Sequence, residues 1–71
     1  MARISLRVTG MTCDHCRGLV ENALNTVPGV YGVYVDLDEG LAEIDFDDGK
    51  AGTDALVEAV KSAGYEAAVA T

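Results

Sequence analysis

The chain has 71 residues, nearly half of them apolar, which suffices for one small domain with a modest core of its own and no structural metal or disulfide staple. Twelve acids against five bases give a net charge of −7. A surface of that sign repels nucleic acid and anionic membranes, because both need clustered Lys and Arg to neutralise phosphate.

In chain order, Ile4, Leu6 and Val8 alternate with Ser5 and Arg7, the pattern of a strand with one buried face. The N-terminal segment carries Arg3 and Arg7 and has no apolar run long enough for a signal peptide, and no stretch approaches the roughly 18 residues of a membrane span. From Cys16 onward the period changes. Val20, Ala23, Leu24 and Val27 form one stripe of a helix that ends before Pro28 and Gly29. Tyr31 to Leu37 and Leu41 to Phe46 read as strands joined by a turn at Asp38, Glu39 and Gly40, and so as a hairpin. Leu56, Ala59, Val60 and Ala63 mark a second amphipathic helix, with Thr53 or Asp54 as its cap and Gly64 as its stop. Tyr65 to Ala70 supplies a last strand.

The order βαββαβ contains no linker and no second domain, so residues 1–71 are expected to form a single domain. Right-handed crossovers leave few arrangements. The commonest is an α+β ferredoxin-like sandwich, a four-stranded antiparallel sheet in order 4-1-3-2 with both helices on one face. That fold decides nothing about function. It does place Gly10 to Cys16, GMTCDHC, in the loop after the first strand and the first turn of the first helix.

This stretch holds both cysteines and the only histidine. Cysteines three positions apart make a poor staple, because so short a loop removes little entropy from the unfolded chain. Near a helix N-terminus, unsatisfied N–H groups and the helix dipole favour a thiolate, so the thiol of Cys16 is expected to titrate below the usual value of about 8.5. Arg17 adds a nearby cation and Asp14 opposes it. With the loop bent back, both sulfurs can face one ion. Zinc usually takes four ligands, and Cys13, Cys16 and His15 make at most three. Two thiolates without oxygen donors instead suit a soft ion of low coordination number, Cu(I) or, by the same argument, Hg(II).

Other residues of the stretch have plainer readings. Met11 fits a core position under the loop better than a ligand position, since a thioether packs well there. His15, between an acid and a thiol, reads first as an exposed bystander, then as a modulator of thiolate basicity, and last as a ligand. The acids between Asp36 and Asp48 read as a solvated hairpin and loop, with a docking face for a basic partner as the alternative. A dithiol oxidoreductase also places Cys-x-x-Cys at a helix start. The thioredoxin arrangement, however, needs a longer chain, a Trp beside the motif and a Pro facing it. This chain has no Trp, and Pro28 follows the helix.

The motif resembles the GMTCxxC signature of the heavy-metal-associated domain. The likeness extends along essentially the whole chain, through Pro28, Gly29, Val30 after the first helix and Ala63, Gly64, Tyr65 before the last strand. The resemblance implies a single heavy-metal-associated domain over 1–71 in which Cys13 and Cys16 are the metal ligands. It further implies that Met11 is a core anchor tethering the loop and that Tyr65, otherwise a core or edge aromatic, shields the site. Bacterial copper chaperones of this family often carry His before the second cysteine, as at His15.

The resemblance thus implies a non-enzymatic, cytoplasmic copper chaperone, in a compartment where thiols stay reduced. It would pass Cu(I) to a metal-transporting P-type ATPase or that protein's metal-binding domain, without inserting in the membrane. A metal-binding domain excised from a copper ATPase and a mercury-binding domain, such as the N-terminal domain of mercuric reductase, are the alternatives. The Met1 start and the end just past the last strand lead us to expect the free chaperone. A metal-bridged homodimer is the remaining partner expectation.

Overall fold

A computed structural model describes residues 2–11 and 14–70. The elements are β1 (Ala2–Thr9), α1 (Asp14–Asn25), β2 (Val30–Asp36), β3 (Leu41–Phe46), α2 (Thr53–Ser62) and β4 (Glu66–Val69). The strands form one antiparallel sheet in the order β2-β3-β1-β4, which is the expected ferredoxin-like topology.

Register explains why the sheet has one apolar face. Leu6 pairs with Ala42 and Ile4 with Ile44, and on the far side Val35 pairs with Ala42 and Val33 with Ile44. These side chains therefore stand on the same side, where they join Val20 and Leu24 of α1 and Leu56 and Val60 of α2 in one core. Leu6, Leu24, Ile44, Leu56, Val20 and Val60 are fully buried, each worth about 1.5–3 kcal/mol of transfer free energy.

On β2, Val30 and Val33 both pack on the core although they are three positions apart, an odd spacing that a regular strand would split between faces. A bulge resolves this. Val30 pairs with Phe46 and Gly32 with Asp45, so Tyr31 is the extra residue. Its ring is exposed and its hydroxyl donates to Asp47 Oδ2 at 3.4 Å.

The opposite face of the sheet is polar. There Arg3 donates to Asp45 across the β1–β3 pair, Nε to Oδ1 at 2.7 Å and Nη2 to Oδ2 at 3.3 Å. The hydrogen bond from Arg3 holds the Asp45 carboxyl below its ordinary range. The pair therefore stabilises the fold above the ordinary carboxylate range, and that stabilisation is lost as pH falls through the lowered pKa of Asp45. Both partners are solvent-exposed, so the contribution is small.

Several boundaries differ from those read in the sequence. Helix α1 begins at Asp14, two residues before Cys16, and ends at Asn25, with Val27 in the turn beyond it. The cap of α2 is Gly52, with extended backbone and no side-chain cap bond, in place of Thr53 or Asp54, which are already helical. Its C-terminus follows expectation, since Gly64 at φ +101° donates its N–H to the Lys61 carbonyl at 2.9 Å.

Gly29 is under the tightest steric constraint. Its φ is +94°, and a Cβ there would lie 2.8 Å from Lys50 Cβ. Replacing it by Ala combines left-handed strain of about 1–2 kcal/mol with that overlap. Gly29→Ala should lower unfolding free energy by about 2 kcal/mol in urea denaturation, whereas a change below a few tenths would show that the turn relaxes freely.

Candidate metal centre

The site is built where β1 ends. Strand β1 is central, paired to β3 on one side and β4 on the other, so the position of its C-terminal end is determined from both sides. Gly10 then turns the chain at φ +101°, a region most residues avoid. Met11 is half-buried and packs against the core. Thr12 and Cys13 lie outside the described residues, and so does the first of the two expected ligands.

From Asp14 the chain is helical. Cys16 is the third residue of α1, in its first turn, and it is half-buried. His15 beside it is exposed. Arg17 lies between two carboxylates, with Nε 3.5 Å from Asp14 Oδ1 and Nη1 3.1 Å from Glu21 Oε2. Among the described residues no three His, Cys, Asp or Glu side chains converge as a ready-made metal cluster.

Tyr65 joins the site from the α2–β4 connection. It lies one residue before β4, whose first residue, Glu66, pairs with Thr9 of β1. The half-buried ring reaches the turn at Gly10, where Tyr65 Cδ1 lies 3.4 Å from the position a Cβ on Gly10 would take. The Tyr65 ring and Gly10 are thus near neighbours at this turn.

The same end of the sheet carries much of the acidity. The β2–β3 turn abuts β1, with the Val8 N–H donating to the Gly40 carbonyl at 2.8 Å, two residues before Gly10. Asp36, Asp38 and Glu39 therefore stand at the loop end, together with Asp14 and Glu66. Asp47 and Asp48 sit at the opposite end, after Phe46, where the Asp47 N–H bonds the Gly29 carbonyl.

This arrangement coincides with that of a known family. The heavy-metal-associated domain model matches residues 5–66. The chain belongs to that family. Copper chaperone CopZ from Staphylococcus haemolyticus is 39% identical over 61 residues, covering 86% of this chain and 90% of that protein. The CopZ of Staphylococcus aureus (strain bovine RF122 / ET3-1) is 36% identical over 66 residues, 93% and 97% of the two chains. Among solved structures, a copper binding domain from HMA7, a P-type ATPase, superposes with a TM-score of 0.98 at 37% identity, over 100% of this chain and 96% of that one. Oxidized MerP from Ralstonia metallidurans CH34 gives 0.95 at 36% identity, over 99% and 97%.

Within this heavy-metal-associated domain, two features of the site end were not anticipated from sequence. One is the link from Arg17 to Glu21, whose signal was the four-residue spacing. The other is the hairpin turn at the loop end, which follows from topology because β1 and β2 run in the same direction and end at the same edge. Leu19, one turn beyond His15 on α1, is exposed. No described helix is long and apolar enough to cross a membrane.

Proposed function

We propose that the chain is a cytoplasmic, non-enzymatic metallochaperone, one domain over 1–71, that holds Cu(I) between the thiolates of Cys13 and Cys16. The observation that carries this reading is the match to named copper chaperones over nearly the whole of both chains, at 36–39% identity. The donor chemistry agrees with it, since two soft thiolates at a helix start favour a soft ion of low coordination number.

Transfer proceeds by ligand exchange with no change of oxidation state. A thiolate of the receiving domain adds to the two-coordinate ion, giving a three-coordinate intermediate, and one host sulfur then leaves. The receiving domain we infer is that of a copper-transporting P-type ATPase. Met11, packed in the core, anchors the loop while ligands change, and the Tyr65 ring against Gly10 limits water on that side. His15, exposed beside Cys16, stays outside the coordination shell. The fit to an ATPase copper binding domain supports a second reading, in which this chain is itself such a domain and receives the ion. Hg(II) would suit the same two sulfurs but leave the site neutral, whereas Cu(I) leaves one net negative charge.

Two outcomes test the proposal. Cys13→Ser and Cys16→Ser should each weaken Cu(I) binding by more than about a hundredfold, since even outer-shell partners of a metal ligand are worth 10–100-fold. Far-UV circular dichroism should show the apo fold retained. A competition titration reads the affinities, and wild-type affinity in either variant would refute the two-thiolate site.

The second concerns encounter with a basic or neutral acceptor. Exposed charges are screened beyond about 8 Å at 0.15 M ionic strength, so stopped-flow transfer should slow as salt rises. Asp14→Asn and a paired Asp38→Asn/Glu39→Gln change should slow it at low salt more than neutralising Asp47 and Asp48. Rates indifferent to salt and to Asp14 would confine the acidic surface to solubility.

A further inference from the structure

The face of the sheet turned away from the helices carries a groove that the metal centre does not use. It encloses about 300 Å³ and is lined by Arg3, Gly32, Val33, Tyr34, Glu43 and Asp45. Ligand sites run from roughly 300 to 1,000 Å³, so this one has room for a single side chain and not for a cofactor. Gly32 lies at its floor. Gly weakens a strand interior, yet nothing in the chain demands it here, because its φ is not positive and a Cβ would make only ordinary contacts, 3.7 Å to Asp45 Oδ2 and 4.0 Å to Asp45 Cβ. A side chain at this position would fit the fold and fill the groove. Register builds the walls. Gly32 and Arg3 both pair with Asp45, and Tyr34 pairs with Glu43 two residues along the strands. Tyr34 is 63% exposed, so its ring stands beside the groove uncovered. The charges do not balance. Arg3 is spent on Asp45, whereas Glu43 is exposed and, among the described residues, makes no ion pair or hydrogen bond. One base and two acids line the groove, which leaves it one net negative charge.

We propose that this groove docks an arginine side chain presented by a partner protein, its guanidinium stacked on the Tyr34 ring and donating to the Glu43 carboxylate. Guanidinium suits the site better than ammonium, because it is planar, stacks on aromatic faces and donates to a carboxylate through two parallel N–H groups. The partner surface is basic, since a chain of net charge −7 attracts such a surface and repels a second copy of itself. The groove is also remote from the metal end. Arg3 precedes Gly10 by seven residues along β1, roughly 20 Å at the rise of a strand. A partner held here leaves the loop at Gly10 free, and the docking does not depend on the metal function proposed above.

The test is an amide NMR titration of the metal-free full chain at low ionic strength with a short peptide, capped at both ends, whose one charged residue is arginine. Shifts should be confined to the strands around Gly32, Tyr34, Glu43 and Asp45 and saturate in the millimolar range. Glu43→Gln and Tyr34→Leu should each weaken binding about two- to fivefold. Gly32→Val, which fills the groove, should abolish it, and Glu43→Gln, an exposed isosteric change, decides the matter if that variant does not fold. The same peptide with lysine should bind about two- to fivefold more weakly, and with citrulline it should give no shifts. Equal shifts with citrulline, shifts spread over the acidic turn at Asp36 to Glu39, or wild-type binding in both Glu43→Gln and Tyr34→Leu overturns the site. Free arginine, whose own carboxylate meets the negative groove, should bind more weakly than the capped peptide. Tighter binding of the free amino acid assigns the groove to a small molecule and overturns the protein partner. Shifts of the same amides on concentrating the chain alone assign it to a second copy and overturn the basic partner.

Discussion

Leu6 and Val8 on β1 must face the helices, and this requirement governs the placement of everything else. Both are essentially buried, and the residue between them, Arg7, is exposed. A slip of one position would bury that guanidinium and expose both apolar side chains, at a cost of several kcal/mol. Because β1 has partners on both sides, its register also dictates where β3 and β4 lie. The strand end at Thr9, the turn at Gly10 and the start of α1 at Asp14 thus acquire their positions from packing in the core. On the proposed function, a loop so placed would present its two sulfurs for ligand exchange without forming part of the core.

The same registration gathers the charge. Since β1 and β2 end at the same edge, the acidic β2–β3 turn stands beside the loop, with Val8 bonded to Gly40. This end of the molecule therefore gathers Asp14, Asp36, Asp38, Glu39 and Glu66, while Arg17 is engaged by Asp14 and Glu21. On the proposed function, a receiving surface would meet this negative end, and electrostatics would act on encounter and orientation more than on affinity for the metal.

Much of this was legible in residue pattern. Alternation at Ile4, Leu6 and Val8 and the stripe Val20, Ala23, Leu24 mark elements that bury one face, and their order leads directly to the topology. Ends were harder to read, because they depend on backbone geometry. Gly52 caps α2 through its extended conformation although Thr53 and Asp54 have the more suitable side chains, and the start of α1 at Asp14 carries no apolar residue to announce it. The bulge at Tyr31 was hidden for a related reason, since it is needed only because Val30 and Val33 must share a face. At the site, Met11 packs against the core and Tyr65 lies near Gly10. Cys13 lies outside the described residues, so the pairing of the two sulfurs rests on spacing and chemistry.

The central claim is that these two sulfurs alone hold the ion. X-ray absorption at the copper edge of the Cu(I)-loaded chain, at less than one ion per chain, counts the donors directly. Binding by the two thiolates predicts a shell of two sulfur atoms with no nitrogen, unchanged in His15→Ala. A nitrogen donor that disappears in His15→Ala, or a shell with oxygen donors in place of one sulfur, would contradict it.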